Sequence, residues 1–151
     1  MDKRNKKNPK RKINPSTSKT PKIEDNNHPG TTDHFFPVWR FGLIDFHGSY
    51  GWECVNDIET FKYIHDKLTN FELMKWSQIK QNKNNHYVRI ERFSKAAKKR
   101  LKELEYDDID QLFSLRLNEE NRIWGKLTNE IYYIIWWDAK HGVCPSKKKH
   151  T

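Results

Sequence analysis

The apolar positions of the chain change period three times after residue 37, and each change marks a structural element. Val38, Arg40, Gly42 and Ile44 alternate with Trp39, Phe41, Leu43 and Asp45, and His47-Gly48-Ser49 follows as a turn. That pattern predicts a hairpin with a short second strand around Trp52–Val55. Helical spacing comes next. Asn56 with Glu59 fits a capping box, and Ile58, Phe61, Ile64 and Leu68 recur behind it. Thr69 with Glu72 repeats the signal and opens a second helix carrying Leu73, Trp76 and Ile79. A polar loop ending near His86 leads to a short extended piece at Tyr87–Ile90. Ser94 then caps a third helix, with Ala97, Leu101 and Leu104 inward and Lys95, Lys98, Lys99 and Lys102 outward.

Beyond the acidic loop at Glu105–Asp110 the pattern alternates. "LFSLRL", "RIWGKL" and the nearly continuous apolar run "EIYYIIWW" predict a three-strand meander. Its last strand is apolar on both faces, as a central strand is. The expected fold is α+β, with helices packed on an antiparallel sheet.

Composition changes this picture at the two ends. Residues 1–36 are dominated by Lys, Arg, Asn, Pro, Ser and Thr, and 146–151 are again basic. Such segments bury too little apolar surface to offset chain entropy. The organisation read from the sequence is therefore a disordered basic arm at 1–36, one domain at 37–145 and a basic tail at 146–151. The 151 residues carry a formal net charge of +9, which points to a polyanionic partner because cations that neutralise phosphates release counterions. The alternative for the terminal clusters is a solvated, solubilising role. Two cysteines, Cys54 and Cys144, are too few for a disulfide framework. The basic N-terminus is followed by no apolar stretch, and the Ile131–Trp137 run is too short to span a bilayer. A cytoplasmic protein with reduced thiols, no membrane association and no cofactor is expected.

Candidate chemistry follows from the meander. Pairing across a turn at Thr128-Asn129 puts Arg122, Trp124 and Lys126 on one face with Tyr133, Ile135 and Trp137. Ile123, Gly125 and Leu127 share the other with Tyr132, Ile134 and Trp136, the more apolar set. The first face mixes cations with aromatic rings, as single-stranded nucleic-acid binders do. The competing reading has these aromatics packed beneath helices and the cations merely rimming them. An even-length turn at Asn118–Asn121 would place Arg116 and Arg122 on opposite faces, whereas a one-residue bulge would unite them. His141, Cys144 and His150 have a spacing metals use, but a fourth ligand is wanting and no metal is expected. His86 reads as a loop residue.

The order of helices followed by "LFSLRLNEENRIWGKLTNEIYYIIWWDAKH" resembles the RelE/ParE superfamily of bacterial toxins, in particular the RelE- and YoeB-like mRNA endoribonucleases. The similarity spans roughly Ser94–Val143 and rests on strand order with Arg116, Asn121-Arg122 and His141. The chain also resembles a group of small proteins of Gram-positive bacteria, with no assigned function, that end in a Trp-Asp-x-x-His-x-x-Cys-Pro-Ser pattern. The first resemblance implies metal-independent cleavage of RNA by attack of a ribose 2′-hydroxyl on the adjacent phosphate, with the ribosome and an antitoxin as partners. Arg122 would neutralise the phosphorane, His141 would act as acid or base, and Arg116 would add a second cation. YoeB-like members use a glutamate base, a role open here to Glu91, Glu119 and Asp138. RNA contacts would come from Lys126, Trp124, Trp137 and Tyr133, with Lys98, Lys99 and Lys102 on the third helix. A non-catalytic module binding nucleic acid or protein through the same surface is the alternative.

Overall fold

The computed structural model describes residues 32–146. Most of the arm at 1–36, residues 147–151 and His150 among them lie outside this range. The described chain forms strand β1 (Val38–Arg40), helices α1 (Ile58–Glu72) and α2 (Trp76–Gln81), β2 (His86–Arg89), α3 (Lys95–Glu103), and strands β3 (Gln111–Arg116), β4 (Arg122–Thr128) and β5 (Ile131–Asp138). The strands make one five-stranded sheet in the order β1-β5-β4-β3-β2. It is mixed rather than antiparallel, because β1 runs parallel to β5, with Val38 opposite Ile131. The meander β3–β5 is antiparallel and β2 extends it.

Helices lie on both faces of this sheet. On one, Ile64 of α1 and Trp76 and Ile79 of α2 pack against Phe113, Leu115, Ile123, Leu127, Tyr132, Ile134 and Trp137. On the other, Ala97 and Leu101 of α3 pack with Val88, Leu112, Trp124, Ile135, Trp136 and Val143. This double cover explains why β5 is apolar on both sides.

The expected hairpin at residues 38–55 does not form. After Arg40 the chain leaves the sheet, and Trp52–Cys54 is a single 3-10 turn rather than a strand. The cause is Asp45, which turns inward and is almost fully buried. Its carboxylate accepts from Arg100 Nε (2.8 Å) and Nη2 (2.7 Å), Trp136 Nε1 (2.9 Å) and the His47 backbone N–H (3.1 Å). The loop so anchored covers the β5 edge beyond the end of β1. Asp45 N–H donates to Ile135 O, and Trp137 N–H donates to Tyr50 O.

Local capping also departs from expectation. Asp57, not Asn56, caps α1 by accepting from Thr60 N–H at 2.7 Å. The Thr69–Glu72 signal is overridden: α1 runs through it, and α2 starts after Lys75, whose N–H donates to the Gln78 side chain at 2.9 Å. Ser94 caps α3, accepting from Ala97 N–H at 3.2 Å.

A bulge in β5 decides which side chains face which layer. Lys126 pairs with Tyr133 and Gly125 with Ile134, but Trp124 pairs with Trp136 and Ile123 with Trp137. Ile135 is the extra residue. Gly125 permits it, since a Cβ there would lie 2.8 Å from the Tyr132 ring. The Tyr132 hydroxyl crosses this point to donate to Phe113 O (2.8 Å) and Ile123 O (3.1 Å). Beyond the bulge the faces exchange. Trp137 therefore joins the α1–α2 core instead of the face of Arg122 and Trp124.

Candidate functional site

On the α3 side the pairing sets out a grid. One row holds Arg116, Arg122 and Asp138, and the next holds His86, Ser114, Trp124 and Trp136. Directly opposed side chains in such rows have Cβ atoms roughly 5 Å apart, with diagonal neighbours about 7–8 Å apart. Arg116 and Arg122 face one another because the connection between their strands is odd in length. Residues 117–121 form it, closed by Leu117 N–H to Asn121 O at 3.0 Å. Asn118 shapes this turn, its Oδ1 accepting from Asn121 N–H (2.7 Å) and Glu120 N–H (2.9 Å). The even-length turn that would separate the two arginines is not formed.

Both guanidinium groups converge on that turn. Arg116 Nε donates to Asn118 O at 3.1 Å, and Arg122 Nη1 donates to the same oxygen and to Asn121 O. Arg122 is only 7% exposed. Its Nε and Nη2 have no hydrogen-bond partner among the described residues, and no enclosed side-chain nitrogen lacks one. Those two nitrogens are the guanidinium donors left unengaged by the described residues. Burial and the adjacent Arg116 charge lower the Arg122 pKa from its usual value, with Asp138 opposing.

Asp138 builds the other wall. Its Oδ1 accepts from Gly142 N–H (2.8 Å), and its Oδ2 from Val143 N–H (3.1 Å) and Trp124 Nε1 (3.1 Å). This carboxylate curls the chain after β5 and brings His141 back over the sheet in a left-handed conformation, φ 56°. Asn121 Nδ2 ties the curl to the β3–β4 turn through Ala139 O at 2.7 Å. The Trp-Asp-x-x-His spacing is thus a device for presenting His141. Burial lowers the His141 pKa, as do the charges of Arg122, Arg116 and His86, while Asp138 works in the other direction.

These elements enclose a cavity of about 530 Å³. His86, Ser114, Trp124 and Arg122 contribute from the sheet, Arg92 from the turn after β2, and His141 and Cys144 from the C-terminal segment. His86 is the first residue of β2 and not a loop residue. Its position is fixed by Asn85, whose Nδ2 donates to Ile79 O (3.0 Å) and whose Oδ1 accepts from Arg116 N–H (2.8 Å). Arg116 flanks the cavity without lining it.

The other sequence candidates are placed less favourably. Trp124 and Trp137 are 1% and 4% exposed, so neither ring is available for stacking. Packing beneath the helices, the competing reading of these aromatics, holds for both. Lys126 belongs to a different, smaller cavity of about 250 Å³, with Tyr87, Arg89, Asp108 and Asp110. Tyr133 opposes it, half-buried. Lys98, Lys99 and Lys102 are exposed on α3 and do not line the main cavity. Of the carboxylates open to a base role, Glu91 pairs with Arg89 at 3.4 Å, Glu119 is exposed on the β3–β4 turn, and Asp138 is engaged as above. None lines the cavity.

Cys54 and Cys144 are free thiols. Among the described residues no three His, Cys, Asp or Glu side chains cluster to hold a metal, and no helix is long and apolar enough to cross a membrane. No protein-family model, curated protein or solved structure matches the chain.

Proposed function

We propose that the cavity binds an RNA phosphate and that the protein is a toxin-like, metal-independent endoribonuclease of RelE/ParE character, with the ribosome and an antitoxin as partners. One observation carries the reading: positive charge converges on the cavity, and Asp138, the carboxylate that partly offsets it, forms no ion pair among the described residues and does not line the cavity. Arg92, Arg116 and Arg122 have no ion-pair partner among the described residues, and the nearby Asp138 already accepts three hydrogen bonds. Groups so arranged favour an anionic ligand, and an arginine fork suits phosphate oxygens. The residues supply a complete set of roles. His141, its pKa lowered by its surroundings, is neutral near pH 7 and takes the proton from the ribose 2′-hydroxyl. The 2′-oxygen bonds to phosphorus as the bond to the 5′-oxygen breaks. Arg122 neutralises the crowded phosphorane, and His86, which lines the same cavity, gives a proton to the departing 5′-oxygen.

The test uses end-labelled single-stranded RNA in chelator, with and without ribosomes. Cleavage should leave a 2′,3′-cyclic phosphate, and His141→Ala should slow it about 100-fold or more. Wild-type protein that binds RNA but never cuts it would select the alternative of a non-catalytic binding module. The absence of a carboxylate from the cavity lining favours that second reading.

A further inference from the structure

Ser114 lies in the middle of β3, between His86 and Trp124 in its row and diagonal to Arg122. It is 3% exposed, yet its hydroxyl makes no hydrogen bond among the described residues. A fully enclosed hydroxyl without a partner would be costly, and no enclosed side-chain oxygen of that kind exists here. The Oγ therefore keeps its remaining access through the cavity that Ser114 lines. A buried polar group with no partner among the described residues, in the wall of a cavity, is placed to meet a ligand atom.

The surroundings define that atom. Arg122, Arg116, His141 and His86 all stand around the same part of the sheet, and Arg122 lines the same cavity with its Nε and Nη2 unengaged by the described residues. A hydroxyl in a field of that sign donates to an anion rather than accepting from a cation. We propose that Ser114 Oγ and the unengaged nitrogens of Arg122 together form the floor of a phosphate subsite, with Ser114 donating to a non-bridging oxygen of the phosphate that Arg122 holds. This rests on the reading of the cavity as an RNA-phosphate site and names the residue that seats the phosphate. Ser114 is a binding residue here. It takes no proton and forms no covalent bond.

The proposal separates cleanly from a structural role for the serine. A hydroxyl with no partner among the described residues adds no hydrogen bond to the fold they form, so Ser114→Ala should melt at the same temperature as wild type or slightly higher. The same variant should bind a 2′-deoxy single-stranded oligonucleotide, which cannot be cut, about 10-fold more weakly or worse, as loss of a hydrogen bond to a charged group requires. Inorganic phosphate should compete with the oligonucleotide on wild-type protein and less well on the variant. Ser114→Cys, nearly isosteric but a weak donor, should behave like the alanine variant. Unchanged oligonucleotide affinity in both variants, with wild type binding normally, would overturn the role of Ser114 and leave the cavity reading standing. A lowered melting temperature with unchanged affinity would assign the serine to the fold. Wild-type protein that binds neither probe would overturn the cavity reading itself.

Discussion

Replacing Asp138 with alanine tests how the site is built, because one buried carboxylate holds both its wall and its floor. Three N–H donors depend on it, from Trp124, Gly142 and Val143. Trp124 and Val143 are buried, so their donors would be left without water or protein partners. Each such orphan costs roughly 1–3 kcal/mol, and the half-buried Gly142 donor costs less. The expected loss is about 2–6 kcal/mol, a large fraction of the roughly 5–15 kcal/mol available to a domain. Asp138→Asn retains one acceptor oxygen but turns an NH₂ toward N–H donors, so it should recover only part of the loss. Urea denaturation followed by tryptophan fluorescence measures the difference directly. The curl that presents His141 should loosen as well, since the Gly142 and Val143 N–H groups lose their acceptor. An Asp138→Ala protein within about 0.5 kcal/mol of wild type would refute this assignment, since surface changes stay within that range.

Burial and three neighbouring cationic groups lower the folded-state pKa of His141. The unfolded chain therefore binds that proton more readily, and this residue's contribution to stability falls as pH drops through the ordinary histidine range. An NMR titration should find His141 below that range, moving upward in Arg122→Ala and on adding phosphate; movement in neither case would contradict the electrostatic picture. Asp45 behaves in the opposite sense to a merely buried acid. Burial alone would raise its pKa, but hydrogen bonds from Arg100, Trp136 and His47 and the Arg100 charge outweigh it and hold the carboxyl below its usual value. Its stabilisation is thus present above the unfolded carboxyl pKa and lost as pH falls through the folded one. Asp45→Ala should cost about 3 kcal/mol or more near neutrality, and the gap from wild type should close in acid; a constant gap would refute the linkage. Trp137→Ala should lose about 3–5 kcal/mol of stability as a core truncation, and a selective loss of RNA affinity at unchanged stability would instead restore Trp137 to the binding surface.

The meander, the Ser94 cap and the third helix were legible because each rests on local signals: alternation, a capping hydroxyl and helical spacing. The errors lie where tertiary contacts override local pattern. Residues 38–55 alternate like a hairpin, but Asp45 is pulled into a buried cluster with Arg100 and Trp136, partners 55 and 91 positions away. The β5 bulge is hidden in a uniformly apolar run, and Gly125 was its one local signal. That bulge moves Trp137 from the face of Arg122, where plain alternation puts it, into the α1–α2 core. The parity of the turn at residues 117–121, left open by the sequence, is decided by the hydrogen bonds of Asn118, and its odd length unites Arg116 and Arg122. His86 and Ser114 were missed because neither belongs to a motif. The pairing of β3 with β4 sets Ser114 diagonal to Arg122, and the pairing of β2 with β3 adds His86 to that row, a register with no short-range signature.

The central claim is that an RNA phosphate sits in the cavity against Arg122. A crystal structure of the protein with a short single-stranded RNA carrying a 2′-O-methyl group on every ribose, which cannot be cut, tests it most directly. The account predicts a phosphate within hydrogen-bond reach of Arg122 Nε or Nη2 and Ser114 Oγ, with a ribose beside His141. An oligonucleotide bound instead along Lys98, Lys99 and Lys102 of α3, with the cavity holding only water, would contradict it.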